Sequence, residues 1–440
     1  MQEVKLGKVE KKIPKLLNNI FLVGSFLLPS AFTLGTGFLL ISVIYGFYIS
    51  KGYFKDKLNI IFFVAGIFLI ISAFIHSNFN DYLSNYKINH SLSWIGLANW
   101  IPFFLCFWGF QPYLDSKTKR RRTAFALLAG TLPVIITGIG QSFFNWYGPI
   151  ETLNGLIVWY QRPIEGITGM TGLFNNPNYT GLWLNLILPF CLAETINSRS
   201  NKLDRIITFI FSFSFVLCTI LTNSRAAWIC IFLGSVVIFG RKGLKLILPL
   251  IISISLIISS TIYPIFGNKI QFFLRSIIPN NIWMEFTDFQ ISRLDIWNTA
   301  LKYIINFPIF GTGGGSFPDI YMHESGLWKG HAHNLPLELF LSYGIPAGII
   351  ILLPITYLFI FSTKTIFFNK LIKISIFDKA WVISIMLFLF SQLVDVQYFD
   401  GRISITFWIL LAGAKNIIDE DKLSIKSVSY THLRAHETQR

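Results

Sequence analysis

Apolar residues run through this chain in long unbroken blocks. There is neither the strict alternation of a half-buried strand nor the one-sided stripe of a surface helix. The blocks lie near residues 19–33, 35–50, 58–75, 92–110, 123–141, 179–196, 206–221, 225–240, 246–265, 335–361, 379–395 and 403–418. A hydrocarbon core of ~30 Å at 1.5 Å per residue needs about 20 apolar residues, and each block reaches or nearly reaches that length. The pattern predicts an all-α polytopic membrane protein with about 12 transmembrane helices. The run from Ile20 to Ile49 is too long for one span, and Pro29 or Gly35–Thr36–Gly37 is where it is expected to turn.

Composition agrees. Of the 440 residues 53% are hydrophobic and 13% charged, against the ~25% charged of a soluble domain. The net charge of +15 would fit a nucleic-acid partner, but its placement does not. With the N-terminus in the cytoplasm and the spans alternating, 26 Lys and Arg fall in inner segments and nine in outer ones. That is the positive-inside asymmetry of a membrane protein with both termini cytoplasmic. Cys106, Cys191, Cys218 and Cys230 all fall within apolar blocks and imply no disulfide framework. No cleavable signal peptide is expected, and the first span would serve as the insertion signal. From Ser427 on, "SVSYTHLRAHETQR" breaks the composition of everything before it. Residues 427–440 read as a non-native, adapter-derived tail. The functional unit is then a single membrane domain over 1–426, whose natural C-terminus is expected to be missing.

Two outer segments are long, about 141–178 and 267–334, and the second is predicted to hold amphipathic helices. All five histidines before the tail (His76, His90, His323, His331 and His333) fall on the outer side, as do Arg162, Arg225 and Arg293. In "KGHAHNLPLELF", Asn334 is an N-cap, Pro336 fits the first turn and Glu338 lies in the positive end of the helix dipole. A helix starting at Leu335 leaves His333 just outside. The dipole disfavours a protonated imidazole there, so His333 is expected neutral and free to accept a proton, at a helix end that also attracts anions. The plainer reading is an interfacial histidine capping a membrane helix. His331, one residue further from the fixed helix end, is the alternative base. His323, Glu324, His331 and His333 are ligand types for a metal, but their spacing matches no zinc motif, and no metal is expected.

In "SRLDIWNTALKYII" a helical wheel places Arg293 with Trp297, Ala300 and Ile304, and Asp295 and Lys302 opposite. A charge on an apolar face calls for an anionic partner, either a ligand or another side chain. Arg225 in "TNSRAAW" opens a span, where snorkelling is the default and a polar pocket behind Thr222–Ser224 the alternative. "GTGGGSF" lacks the ending of a phosphate-binding P-loop and is read as a tight turn rather than an anion nest. "TGLFNNPNYTG" is a turn in which Asn178 caps the following helix. Trp146, Tyr147, Trp159 and Tyr160 suit an interfacial aromatic belt.

The ordered set "GMTGLFNNPNYTG", "TNSRAAW", "SRLDIWNTALKYIINFPIFGTGGGSF" and "HAHNLPLELFLSYGIPAG" resembles the O-antigen ligase and polymerase family of bacterial envelope enzymes. The likeness covers nearly the whole chain up to about Asp419. It implies a GT-C-like fold in the inner membrane and a periplasmic active site. It implies inverting glycosyl transfer without a metal, cofactor or nucleotide sugar. The donor would be a glycan on undecaprenyl pyrophosphate, and the acceptor lipid A–core oligosaccharide for a ligase or another lipid-linked glycan for a polymerase. On this likeness His333 is the acceptor-activating base, Arg225 and Arg293 bind the pyrophosphate, and His331, Asn334, Glu338 and Arg162 are supporting residues. Membrane lipids are the remaining partners expected, and nucleic acid is not one.

Two other classes compete. A transporter of bicarbonate or of lipid-linked glycan should carry its charges near the bilayer midplane, whereas these candidates lie at the outer interface. A purely structural membrane protein would have no need of Arg293 on an apolar face.

Overall fold

The computed structural model describes residues 13–50, 52–78, 91–164, 169–197, 202–278, 293–369 and 375–437. His90 and the first residue of the predicted Ser292–Ile305 helix lie outside them, as do 165–168 and 279–292 of the two long segments.

The apolar blocks are helical. The run at Ile20–Ile49 is two helices, α1 (Lys15–Leu27) and α2 (Phe32–Ile49). The break falls around Pro29, while Gly35 and Gly37 stay inside α2. Next come α3 (Lys57–Asn78), α4 (Leu92–Gly96), α5 (Ile101–Phe110), α6 (Lys117–Gly130) and α7 (Leu132–Phe144). Then follow α8 (Pro177–Asn197), α9 (Lys202–Leu221), α10 (Arg225–Phe239) and α11 (Arg241–Ile262). The segment 267–334 carries α12 (Asn268–Ile277), α13 (Arg293–Asn306) and α14 (Phe317–Ser325). The chain ends with α15 (Leu335–Phe367), α16 (Ile376–Ser391) and α17 (Gly401–Glu437), which reaches into the 427–440 stretch.

Among the described residues, seven helical segments are long and apolar enough to cross a membrane. Of the five remaining blocks, three fall on α1, α10 and α16, which have only 13, 15 and 16 residues, below the ~20 of a perpendicular span; the other two fall on α11 and α17. The chain is thus an all-α membrane protein in architecture, with one exception. Ile150–Thr152 and Ile157–Trp159 form a short antiparallel hairpin, with Ile150 opposite Trp159. Trp159 Nε1 donates to Ser30 O at 2.7 Å and moors the hairpin to the α1–α2 turn.

α8 and α16 lie at the centre, apolar on every face as buried helices must be. Trp183, Phe190, Trp381 and Phe388 are each fully enclosed. At one end of the bundle Arg120 is fully buried. Its Nε donates to Asp378 Oδ1 at 2.7 Å and its Nη1 to Glu420 Oε1 at 2.7 Å, joining α6, α16 and α17. The sequence counted this arginine among inner topology charges; here it is an internal clamp, held because a buried guanidinium must be matched on all sides.

α15 is broken near its start. Gly344 has φ 85° and ψ 163°. Ile345 N donates to Pro308 O rather than back along the helix, and Pro346 has no N–H to donate. Leu341 O and Ser342 O therefore lose their helical partners. The glycine-rich turn supplies new ones: Thr312 N to Leu341 O at 2.7 Å and Gly313 N to Ser342 O at 3.0 Å. "GTGGGSF" is a turn, and at least two of its N–H groups serve a helix break rather than an anion.

Candidate active site

α15 begins at Leu335 with Asn334 as its cap: Asn334 Oδ1 accepts from Leu337 N at 3.0 Å. Asn334 Nδ2 donates to Leu393 O at 2.9 Å, tying the cap to the turn between α16 and α17. Glu338, 4% exposed, reaches back so that its Oε2 accepts from Ala332 N at 2.8 Å. Ala332 is fully buried in a second apolar cluster with Ile296, Ala300 and Tyr303 of α13 and Phe317 and Ile320 of α14. The loop bearing His331 and His333 is thus pinned on one side by a carboxylate and on the other by the packed outer helices.

His333 has φ 51°, a left-handed conformation that non-glycine residues adopt at some cost. Its N–H donates to His331 Nδ1 at 3.3 Å. Its own Nδ1 is 2.8 Å from Asp395 Oδ1. Asp395 lies four residues past the end of α16 and is 3% exposed. Oδ1 also accepts from Val396 N at 3.0 Å, and Oδ2 from Asn178 Nδ2 at 2.9 Å. Burial alone would raise the Asp395 pKa. The hydrogen bond from His333, the electrostatic pull of the two imidazoles and the Val396 N–H outweigh it, and the carboxyl is held below its usual range.

His331 Nε2 stands 3.9 Å from the same Oδ1. Burial pushes this imidazole down to about 4, with Asp395 opposing and His333 adding to the fall. One tautomer pair satisfies every contact: His331 with its proton on Nε2, accepting at Nδ1, and His333 with its proton on Nδ1. The His333 Nε2 lone pair then remains, and no described residue donates to it.

The structure moves several expectations. Asn178 does not cap α8: the helix starts at Pro177, and Asn176 Oδ1 accepts from Asn178 N at 2.8 Å. That leaves the Asn178 amide for Asp395. Arg162 is exposed and donates through Nε to Asn175 Oδ1, in the same turn as Asn178. The Arg225 turn packs on α8 just beyond it: a Cβ on Gly181 would lie 2.7 Å from the Ala227 Cβ, and Asn185 Nδ2 donates to Ala227 O at 3.0 Å.

Arg293 is not in the middle of an apolar face. It is the first residue of α13 and is exposed. Ala300 and Ile304 do form the buried face, and Asp295 and Lys302 the exposed one. Arg293 sits at the end of α13 rather than in its middle, with Leu294 and Asp295 beside it also exposed. The desolvation argument for a ligand, and with it the argument against a purely structural protein, therefore falls away. The four-residue metal set also fails to assemble, since Glu324 pairs with Lys302 Nζ at 2.9 Å and with Tyr303 Oη at 2.6 Å. The donors that do converge are His331, His333 and Asp395, all within 4.8 Å of one another. They are types a divalent ion accepts, and Asp395 Oδ1 among them is already engaged by His333 and Val396 N.

Asp395 is the residue that sequence reading missed. The signal was there: "SQLVDVQYFD" puts two carboxylates in a short polar turn between apolar blocks.

Residues 209–352 match the family described as O-antigen ligase. That span includes Arg225, Arg293, His331, His333, Asn334 and Glu338, but not Arg162, Asn178 or Asp395. A ComP-specific O-oligosaccharyltransferase of Acinetobacter baylyi (strain ATCC 33305 / BD413 / ADP1) is 28% identical over 192 residues, 41% of this chain and 33% of that protein. The match thus spans about a third of the relative's length. The two findings support the O-antigen ligase family for this chain.

Proposed function

We propose, with the O-antigen ligase family as premise, that this chain is an inverting, metal-independent glycosyltransferase of a bacterial inner membrane. It moves a glycan from undecaprenyl pyrophosphate to a hydroxyl of lipid A–core oligosaccharide on the periplasmic face. Some twelve spans then place 141–178 and 267–334 outside. The observation that carries the reading is the His333–Asp395 pair: a buried carboxylate 2.8 Å from Nδ1 and a lone pair left on Nε2.

In the reaction, His333 Nε2 takes the proton of the acceptor hydroxyl as its oxygen attacks the anomeric carbon. The bond from that carbon to the pyrophosphate oxygen breaks, with inversion. Asp395 accepts from Nδ1–H, sets the tautomer and offsets the charge of the imidazolium as it forms. Arg225 and Arg293 neutralise the leaving pyrophosphate, where charge develops. Arg162, hydrogen-bonded to Asn175 of the turn that holds Asn178, is a third cation for the same group. Asn334 and Glu338 position the loop. His331 acts as a positioning residue, since its Nδ1 is engaged by a backbone N–H and its Nε2 faces Asp395.

The relative's printed name favours a second reading, in which the acceptor is not lipid A–core. A polymerase elongating a lipid-linked glycan falls under it too. The test is complementation: the full chain is expressed in a strain lacking its own O-antigen ligase, and the lipopolysaccharide is run beside an Arg293→Ala control. A ladder that the control lacks supports ligase chemistry. No ladder from well-inserted protein rejects the lipid A–core acceptor. Transfer activity on lipid-linked glycan alone would then identify a polymerase, and its absence there too would return weight to a transporter.

A further inference from the structure

At the far end of the bundle from the histidines lies a groove with no part in glycan transfer. It opens between the start of α3, the second half of α15 and the middle of α17, and encloses about 600 Å3. Lys415 and Lys422 on its rim stand 14 and 21 residues past Gly401, where α17 starts six residues after Asp395, about 21 and 32 Å along that helix at 1.5 Å per residue. The groove therefore sits at the opposite membrane interface from His333, the end where the sequence collects its basic residues.

Its rim carries Lys55, Lys57, Lys415 and Lys422. Lys415 is matched from both sides: its Nζ is 3.2 Å from Asp56 Oδ2 and also bonds Asp419. The neighbouring carboxylates are spent elsewhere, Glu420 on Arg120 and Asp421 on Thr365 and Asn369. Lys55, Lys57 and Lys422 are exposed, and among the described residues none of them forms an ion pair. Three cations of one sign thus face a single opening. Below them the wall turns apolar, with Ile61, Leu353 and Ile418. Leu353 is 61% exposed.

We propose that this groove binds an anionic glycerophospholipid of the adjoining leaflet. The phosphodiester lies between Lys57 and Lys422, and an acyl chain lies along Leu353 and Ile61. The shared chemistry is that of a phosphate anion, and basic pockets between membrane helices are where such headgroups are held. The apolar wall selects the lipid over a free phosphate, because a free anion would use the rim and leave the wall wet. The groove is bounded by α3, α15 and α17, so a seated lipid bridges the helix that carries the histidine loop to two neighbours. The proposal does not depend on the transfer reaction.

The experiment uses the full chain in neutral detergent. Dioleoyl-phosphatidylglycerol, dioleoyl-phosphatidylcholine and inorganic phosphate are titrated separately. Bound lipid is counted by native mass spectrometry, and the thermal midpoint is followed in parallel. Phosphatidylglycerol should be retained and should raise the midpoint, while the other two do neither. K57Q/K422Q should bind phosphatidylglycerol about tenfold or more weakly, and Lys55→Gln should give a smaller loss. The control K242Q/K245Q removes the same charge from two other exposed lysines at the start of α11 and should bind like the parent. Equal retention of phosphatidylcholine overturns the headgroup assignment. Equal loss in test and control variants overturns the location. Protection by inorganic phosphate alone overturns the lipid in favour of a free anion.

Discussion

Asp395→Asn tests the proposed chemistry at its centre. The substitution keeps shape and volume and removes one charge. Val396 N, donating to Oδ1 at 3.0 Å, selects which end of the new amide faces the histidine: only its carbonyl oxygen satisfies that N–H. The –NH2 then faces Asn178, whose own amide can rotate to present oxygen, while Gln397 stays as it is, its Oε1 held by Ser391 and Gln392. His333 Nδ1–H therefore keeps an acceptor and its tautomer. What is lost is the ionic part of one hydrogen bond to a forming imidazolium. Hydrogen bonds to charged groups contribute about 1.5–3 kcal/mol, and each 1.36 kcal/mol is tenfold in rate, so kcat should fall about 10- to 150-fold. The assay is the rate of glycan transfer from a lipid-linked donor in reconstituted vesicles, normalised to inserted protein. An unchanged kcat would refute the reasoning, because a carboxylate buried on the base would then contribute nothing to its protonation. A fall of about 10^4, the size seen when a catalytic histidine is held in the wrong tautomer, would mean the amide had turned the other way. Asp395→Ala is the poorer probe: it leaves the His333, Val396 and Asn178 donors unmatched at about 1–3 kcal/mol each and confounds folding with chemistry.

Arg225→Ala and Arg293→Ala should each lower transfer about 10^2-fold or more while inserting normally; normal transfer in either removes that arginine from the proposed site. Transfer should survive chelation by EDTA, and a loss restored by zinc would instead assign His331, His333 and Asp395 to a metal. Gly344→Ala should lower the thermal midpoint, since its Cβ would sit 2.1 Å from Ile309 O at φ 85°, a conformation that alone costs about 1–3 kcal/mol; an unchanged midpoint contradicts the described break in α15. Burial holds His331 at about 4 against an ordinary 6.5, so on acidification the folded chain takes up that proton after the unfolded one. The stability concerned is full above about pH 6.5 and is lost as pH falls toward about 4, by at most about 3 kcal/mol. His331→Asn should flatten the fall in thermal midpoint across that window, and parallel curves for parent and variant would rule the account out.

The helices were legible in the sequence because length and hydropathy are local properties. The start of α15 was legible for the same reason, with cap, proline and carboxylate all within five residues of His333. Asp395 was not, because its meaning lies in a contact 62 positions away. Arg293 was misread because a helical wheel gives only the angle of a residue, and the angle does not say whether a neighbour covers it. Arg120 looked like one more inner charge, and only the assembled bundle shows the two carboxylates that enclose it. In each case the miss was a matter of tertiary partnership, which periodicity does not encode.

The glycine-rich turn has one more consequence. Three glycines at positive φ in "GTGGGSF" would mark it as the most mobile stretch of the outer region. Yet Thr312 N and Gly313 N are donated to carbonyls that α15 itself cannot satisfy. Releasing them would strand acceptors in the interior, so these amides should open only when the break in α15 comes apart. In hydrogen–deuterium exchange they should be among the slowest of the outer region, exchanging in step with the first turns of α15. What reads as a loop would then behave as part of the helix it closes.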